Sequence, residues 1–320
     1  MKKVFVYLKS IIQLFLPVYA LQEEPAPGCV PMTIFYAGYS KVKRAYFGKL
    51  IFDGRPFKTD SLGIVGFWML NKYRKNKYTA DIIIAETGLF TIGYFLKRNG
   101  CVFPEWVDLN IDISRPMKEM RAQSLSRYRD VERVIRKYNW EYEVTEDPKA
   151  YEEFFFKMYV PFMQKHGDEL IPISFAKFQK LCKSSFLILV KKGNVPFAGA
   201  LNIFEKDNVI LSRLGIIDGN MEYYRQGISG ALYYFSILEC QQRGFKKLDL
   251  GGTRPFLNDG LTCSKLRRNG EFILNFDQAR DHLWMSWRPD SIRANDFIKN
   301  NPFVRLGNDW KLKVEGETKQ

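Results

Sequence analysis

Histidine is almost missing from this chain: it has 2, His166 and His282, in 320 residues. A histidine-rich metal centre is thereby excluded. A Ser-His-Asp triad could run only through one of those two, and no G-x-S-x-G elbow is present to carry its serine. The 5 cysteines (Cys29, Cys101, Cys182, Cys240 and Cys263) are odd in number and never spaced C-x-x-C. Neither a zinc site nor a disulfide framework fits that pattern, and a reducing compartment is the simpler setting. Long apolar runs are wanting as well. The opening stretch, MKKVFVYLKSIIQLFLPVYA, is broken by Lys9, Gln13 and Pro17 and is too short to span a bilayer.

What is abundant is positive charge. Lys and Arg number 49 against 35 Asp and Glu, a net charge of +14. Such a balance suits an anionic partner: a phosphate-bearing cofactor, tRNA, an anionic polymer or a lipid surface, with DNA not expected among them. A generally solvated basic surface is the plain alternative. With 46% hydrophobic and 26% charged residues, the chain is composed like an ordinary globular protein. Its length allows one large domain or two moderate ones.

Residues 1 to 20 admit three readings. They form a packed segment, an interfacial helix with Lys2, Lys3 and Lys9 on its polar side, or a secretory signal cleaved after Val18-Tyr19-Ala20. Lys9 and Gln13 favour a segment that stays attached. Gln22 to Pro31 reads as a Pro-rich linker. Met32 to Asp60 suggests strands with turns, including a hairpin at Asp53-Gly54. Leu62 to Tyr73 has helical spacing, and Asp81 to Ala85 is a buried strand. Glu105 to Ser114 alternates as a strand. Met117 to Tyr138 follows as one long helix, with Arg129, Arg133, Arg136 and Lys137 on one face. That face suits a polyanion, or is simply solvated and paired with Asp130 and Glu132. Trp140 to Thr145 is a strand, Ala150 to His166 an aromatic helix, Ser174 to Cys182 a helix. Phe186 to Val190 and Pro196 to Phe204 form a hairpin about Gly193-Asn194, and Asn208 to Leu214 is a further strand. Gly215 would permit a bulge or splay there. After Trp287 a short helix and a mobile tail are expected.

The chemistry concentrates between Met221 and Phe276. Arg225-Gln226-Gly227-Ile228-Ser229-Gly230 runs into helical spacing of Ala231, Leu232, Phe235 and Leu238. Gly244 sits where that helix would stop in a left-handed conformation. Phe245 to Leu250 then alternates, with Asp249 opposite Leu248 and Leu250. Free N–H groups at a helix N-terminus form an anion site, and glycines let a phosphate come close. The turn before Ala231 therefore reads as a pyrophosphate cradle, or as a tight turn that binds nothing.

This stretch resembles the second half of an acetyltransferase-like (GNAT) fold, in the form of the FemAB/FemX peptidoglycan aminoacyltransferases and the BioF2-like or CelD-like acyltransferase domains. The resemblance rests on the cradle, on Leu248-Asp249-Leu250-Gly251-Gly252, and on Lys265 ahead of Gly270. It covers roughly Trp106 to Trp287. Asn269 stands where many relatives carry Trp, and the cradle reads R-Q-G-x-S-G rather than R/Q-x-x-G-x-G/A.

The resemblance implies an α/β (α+β) fold in which a degenerate first acetyltransferase-like half (32–115) precedes a catalytic half (116–290). An N-terminal segment (1–31) and a C-terminal tail (291–320) flank them. It implies acyl transfer from acyl-CoA, acetyl-CoA foremost, to an amine or hydroxyl of a small-molecule or glycan acceptor from the cell envelope, without a metal. The setting would be cytoplasmic, with the inner membrane face as an option. An aminoacyl-tRNA donor is the alternative; a non-enzymatic polyanion-binding protein on the same fold is a third. Arg225, Gln226, Gly227, Ser229 and Gly230 would hold the donor phosphates and Leu214 its pantetheine arm. Asp249 would act as base, Lys265 would hold a phosphate or the oxyanion, and His166 would contact substrate.

Overall fold

The structure, a computed structural model, describes residues 2–24, 31–70, 79–123, 127–165, 172–273 and 281–314. The chain forms two compact units: Met1–Val107 with Thr253–Thr262 and Leu274–Gln320, and Asp108–Gly252 with Cys263–Ile273. The first unit is thus assembled from three stretches, where continuous segments meeting at 31, 115 and 290 were expected. Each unit is built on its own sheet, and the class is mixed α/β as expected.

The strands in chain order begin with β1 (Phe15–Glu23), β2 (Thr33–Ala37), β3 (Phe57–Gly66), β4 (Ile82–Thr87) and β5 (Cys101–Pro104). Then come β6 (Val107–Asp112), β7 (Glu141–Thr145), β8 (Ser185–Lys192), β9 (Val195–Glu205), β10 (Asn208–Ile216), β11 (Lys247–Thr253) and β12 (Glu271–Phe272). The last are β13 (His282–Trp287), β14 (Val304–Leu306) and β15 (Leu312–Val314).

The first unit's sheet runs β15-β14-β5-β13-β4-β2-β1-β3, with β2 and β4 parallel. A helix, Lys41–Ile51, occupies part of the stretch expected to be strands. Ser40 starts it by accepting the Lys43 N–H, and Phe47 and Ile51, one turn apart, bury the same face. Asp53 (φ 54°) and Gly54 (φ 73°) are left-handed, so they turn the chain out of this helix and make no hairpin. Leu62 to Gly66, expected helical, belongs to β3, because β1 offers a ladder from Phe15↔Gly66 to Glu23↔Phe57 that outweighs local spacing. In the stretch expected to be a tail, the described residues up to 314 form regular elements. The helix Ile292–Asn300 follows β13 and precedes β14 and β15. Phe297 and Phe303 join Phe47, Phe103 and Phe256 in one aromatic core, which is why Thr253–Thr262 belongs to this unit. Arg254, from the same stretch, lies between the rings of Tyr46 and Trp106 at 4.3 and 4.2 Å and meets Glu105 at 3.2 Å.

The second unit's sheet runs β12-β6-β11-β10-β9-β8-β7. One face carries Leu187 and Leu201 against Phe154, Phe155, Met158, Tyr159 and Phe178. Phe154, Phe155, Met158 and Tyr159 come from a π-helical turn, Phe154–Tyr159, set between Pro148–Glu153, started by Asp147 accepting from Lys149, and Val160–Lys165; Phe178 comes from the helix Phe175–Cys182. The helix Ile228–Gln242 covers the opposite face, where Phe235 stacks on Tyr142 of β7 at 4.6 Å. The single long helix expected from Met117 is two, Met117–Gln123 and Arg127–Tyr138, tied by an Arg121–Glu132 ion pair.

Gly215 has a packing role. A Cβ there would lie 2.6 Å from the Tyr159 nitrogen and 2.7 Å from the Met158 carbonyl carbon, both backbone atoms that cannot step aside. Gly215→Ala should therefore lose about 1–3 kcal/mol of stability in urea unfolding, as overpacking does. A wild-type midpoint would show that the π-helical turn is not pressed against β10.

Candidate functional site

The helix Ile228–Gln242 begins at Gly227, whose φ of 93° is left-handed. The turn does not work as its glycines suggest. The N–H of Gly227 donates to the Tyr224 carbonyl (3.0 Å) and that of Gly230 to the Gly227 carbonyl (2.9 Å). Neither can meet a phosphate. The first-turn donors left without an intrahelical acceptor are those of Ile228 and Ser229, which lie between the two glycines. Gly230 serves packing: a Cβ there would be 3.1 Å from Val131 Cγ2 on the basic helix Arg127–Tyr138. Arg225 is exposed and lies 3.7 Å from Glu222, while Gln226 is half-buried, 3.5 Å from the same residue. Gly244 is left-handed (φ 83°), as expected for the helix end.

β10 and β11 are parallel neighbours, yet they pair at only two positions, Val209↔Leu248 and Ile210↔Asp249. Beyond these the strands part. The chain leaves the end of β10, reaches Gly227, and returns through the helix to the start of β11. The helix N-terminus therefore stands at the open end of the split. Leu214 lies in the parted stretch of β10, paired on its other side with Ala200.

The bulge expected near Gly215 lies earlier, where the register slips between Leu211 and Arg213. An extra residue there reverses the alternation. Arg213 consequently pairs with Leu201, whose side chain belongs to the aromatic core, and points to that face. Its Nη1 donates to the Ser212 carbonyl at 2.7 Å, and its buried Nε has no acceptor among the described residues. Sequence reasoning passed over Arg213. The signal was a lone charged residue in the strand NVILSRLGI.

Asp249 aligns with Ile210, which pairs with Ile203 on the aromatic side. It therefore lies across the sheet from the cradle helix. Its Oδ1 accepts the Gly251 N–H at 2.6 Å. Burial pushes its carboxyl above the usual carboxylate range, and Asp108 adds to this; the Gly251 N–H and Lys265 pull the other way. Lys265 is 3% exposed and donates to the carbonyls of Gly251 (2.9 Å) and Gly252 (2.8 Å). Asp249 and Lys265 thus meet around Gly251, but the ammonium is committed to backbone and is not presented to an oxyanion. His166 lies outside the described residues.

A scan of protein-family models and a search of curated proteins match nothing to this chain. Solved structures similar to it include L-PGS from Bacillus licheniformis, at 10% identity over 92% of this chain and 93% of that one, TM-score 0.40. FemX is similar at 13% identity over 82% and 83%, TM-score 0.44. A GCN5-related N-acetyltransferase from Sphaerobacter thermophilus is similar at 10% identity over 79% and 71%, TM-score 0.33.

Three substitutions test this geometry. Gly230→Val should cost about 1–3 kcal/mol by pressing on Val131, and Val131→Ala should recover part of that loss in the double variant. Additive losses would mean that the two helices do not meet there. Lys265→Met should destabilise by about 1–3 kcal/mol for each carbonyl left unpaired, read as a lower urea midpoint. An unchanged midpoint would show that Lys265 is free for another task.

Proposed function

We propose that this chain is an acyltransferase. It moves an acyl group from acyl-CoA, acetyl-CoA foremost, to an amine or hydroxyl of a cell-envelope or polysaccharide-related acceptor. The observation that supports this best is the split between β10 and β11 with a helix N-terminus at its open end. An extended ligand laid in the split has strand backbone on both sides, including Leu214. Its anionic end meets the N–H of Ser229 at the positive pole of the helix, with Arg225 and Gln226 beside it. Its far end reaches the opposite face, where Asp249 and Arg213 point.

The donor supplies an acyl group already activated as a thioester. The chain's own part is positioning, one proton acceptor and one oxyanion donor. Asp249 takes the proton that the attacking amine or hydroxyl loses. Its raised pKa brings it nearer to neutrality, where a base accepts a proton from a weak acid more readily. Arg213 is the group whose unpaired Nε can donate to the carbonyl oxygen as charge develops there. Lys265 acts one step back, by holding the Gly251 turn that orients Asp249.

An aminoacyl-tRNA donor is the second reading. It is favoured by the solvent-exposed face of Arg129, Arg133, Arg136 and Lys137, in which Arg133 meets Asp130 at 3.4 Å. A phosphate backbone is the natural complement of such a face.

Acetyl-CoA at about 100-fold over its Kd should raise the stability by about 2.7 kcal/mol, as any ligand of the native state does. Stabilisation by aminoacyl-tRNA alone would transfer the assignment to the second reading, and stabilisation by neither would remove both. Asp249→Asn and Arg213→Gln should each lower kcat by at least ~10²-fold. In the wild type the rate should rise with pH as Asp249 loses its proton, with a midpoint above the ordinary aspartate range, and Asp249→Asn should abolish that limb. The same acid limb in the Asn variant would exclude Asp249 as the base.

A further inference from the structure

The last turn of the N-terminal helix Lys2–Ile12, in the first unit, is mounted with polar residues inward. Ser10 and Gln13 are buried, at 2% and 3% exposure. Ser10 Oγ accepts the Leu89 N–H at 3.0 Å, and Gln13 Oε1 lies against Gly88. Lys9 reaches Asp281 at 2.6 Å. Fixing these polar residues against the unit forces the apolar side of the helix outward. Leu8, Ile11 and Ile12 are 56%, 53% and 55% exposed, the reverse of a surface helix on a water-facing protein.

The outward residues do not stand alone. The ring of Tyr7, on the same side, lies 6.0 Å from Phe90, and Phe15 packs edge-on to Trp68 at 5.6 Å. Phe15, Trp68 and Phe90 are themselves about half exposed. The Phe67 N–H donates to the Leu14 carbonyl, which draws the loop carrying Trp68 up to the helix end. Scattered apolar residues need no explanation, but a joined patch with tryptophan and tyrosine in it marks a surface that something covers.

Charge decides what covers it. Lys97 and Arg98 are exposed nearby, with the Arg98 guanidinium 4.5 Å from the ring centre of Tyr94, which itself packs on Phe67. A second copy docking face to face would set these cations against one another. An anionic bilayer instead complements them, while its interface accepts aliphatic side chains flanked by Trp and Tyr. Among the described residues no helix is long and apolar enough to cross a membrane. We propose that this patch seats the protein on an anionic lipid surface, with the N-terminal helix lying in the plane of the interface.

Flotation of the full chain tests this, with vesicles of phosphatidylcholine alone and with vesicles containing phosphatidylserine as well. The protein should float with the anionic vesicles, lose most of that binding at high salt, and bind neutral vesicles weakly. Leu8→Glu with Ile11→Glu should weaken binding by at least ~10²-fold, since two buried aliphatic side chains are lost from the interface. Trp68→Ala, on a separate element, should weaken it in the same direction. Val195→Glu, on an exposed turn strand of the second unit, should leave it unchanged. Absence of binding to anionic vesicles, equal binding to neutral ones, or flotation indifferent to all the patch variants would overturn the proposal. So would a concentration-dependent dimer that the double variant dissolves, because a second copy would then be the cover.

Discussion

The second unit depends on one lysine holding two successive carbonyls. In a regular strand consecutive carbonyls point to opposite edges, so a single ammonium cannot reach both. Lys265 reaches those of Gly251 and Gly252 because Gly251 turns left-handed, at φ 70°. That turn takes β11 off the ladder with β10 just after Asp249, and the Asp249 carboxylate locks it by accepting the Gly251 N–H. The parting of the strands thus has a local cause. A β-branched or bulky residue at 251 would be strained in that conformation. Without the lysine, two carbonyls buried beside it would have no cation to answer them.

The bulge in β10 is the companion device. Without it Arg213 would lie on the cradle side, with Leu211; with it Arg213 shares a face with Asp249. One irregularity separates the strands and the other re-aims a charge, so Asp249 and Arg213 lie on one face of the sheet and the cradle helix on the other. Under the proposed reading a ligand would pass between β10 and β11 to use both ends, which suits an extended, thin donor arm better than a compact one.

Much of this was legible in the sequence, and what was not has physical reasons. The β8-β9 hairpin, β10, the cradle helix and its stop at Gly244 follow from alternation, helical spacing and glycine position, all local signals. The helix Lys41–Ile51 was missed although Ser40 and the Phe47–Ile51 spacing announce it, because Asp53-Gly54 also imitates a hairpin turn. β3 was misread because its partner β1 lies more than thirty positions away in sequence, where no window of spacing can see it. At the site, Asp249 was found from its place between two leucines, but its face was not. The side on which it lies depends on register with Ile210 and through it with Ile203, a non-local fact. The glycines of the cradle were read as room for a ligand, whereas Gly230 makes room for Val131. A glycine shows that something comes close; only the fold shows whether that is a phosphate or a neighbouring helix.

Net charge, too, is a poor locator by itself. Lys206, Arg243, Lys246 and Lys247 gather around a groove of about 590 Å³, a more basic setting than the cradle. That groove lies at the C-terminal end of the cradle helix. There Gly244 and Phe245 close the last turn by donating to the carbonyls of Gln241 and Cys240. Arg243 is held by Glu239 at 2.7 Å and Glu146 at 3.5 Å and lies over the ring of Phe186 at 4.4 Å. Cations at this end answer the negative pole of the helix and its neighbouring carboxylates, so their charge is already spent. The opposite end has fewer cations but the N–H of Ser229 at the positive pole, with the exposed Glu222 as the carboxylate nearest Arg225 among the described residues. The direction of the helix, more than the count of lysines, is what would draw the anionic end of the proposed donor to Ser229.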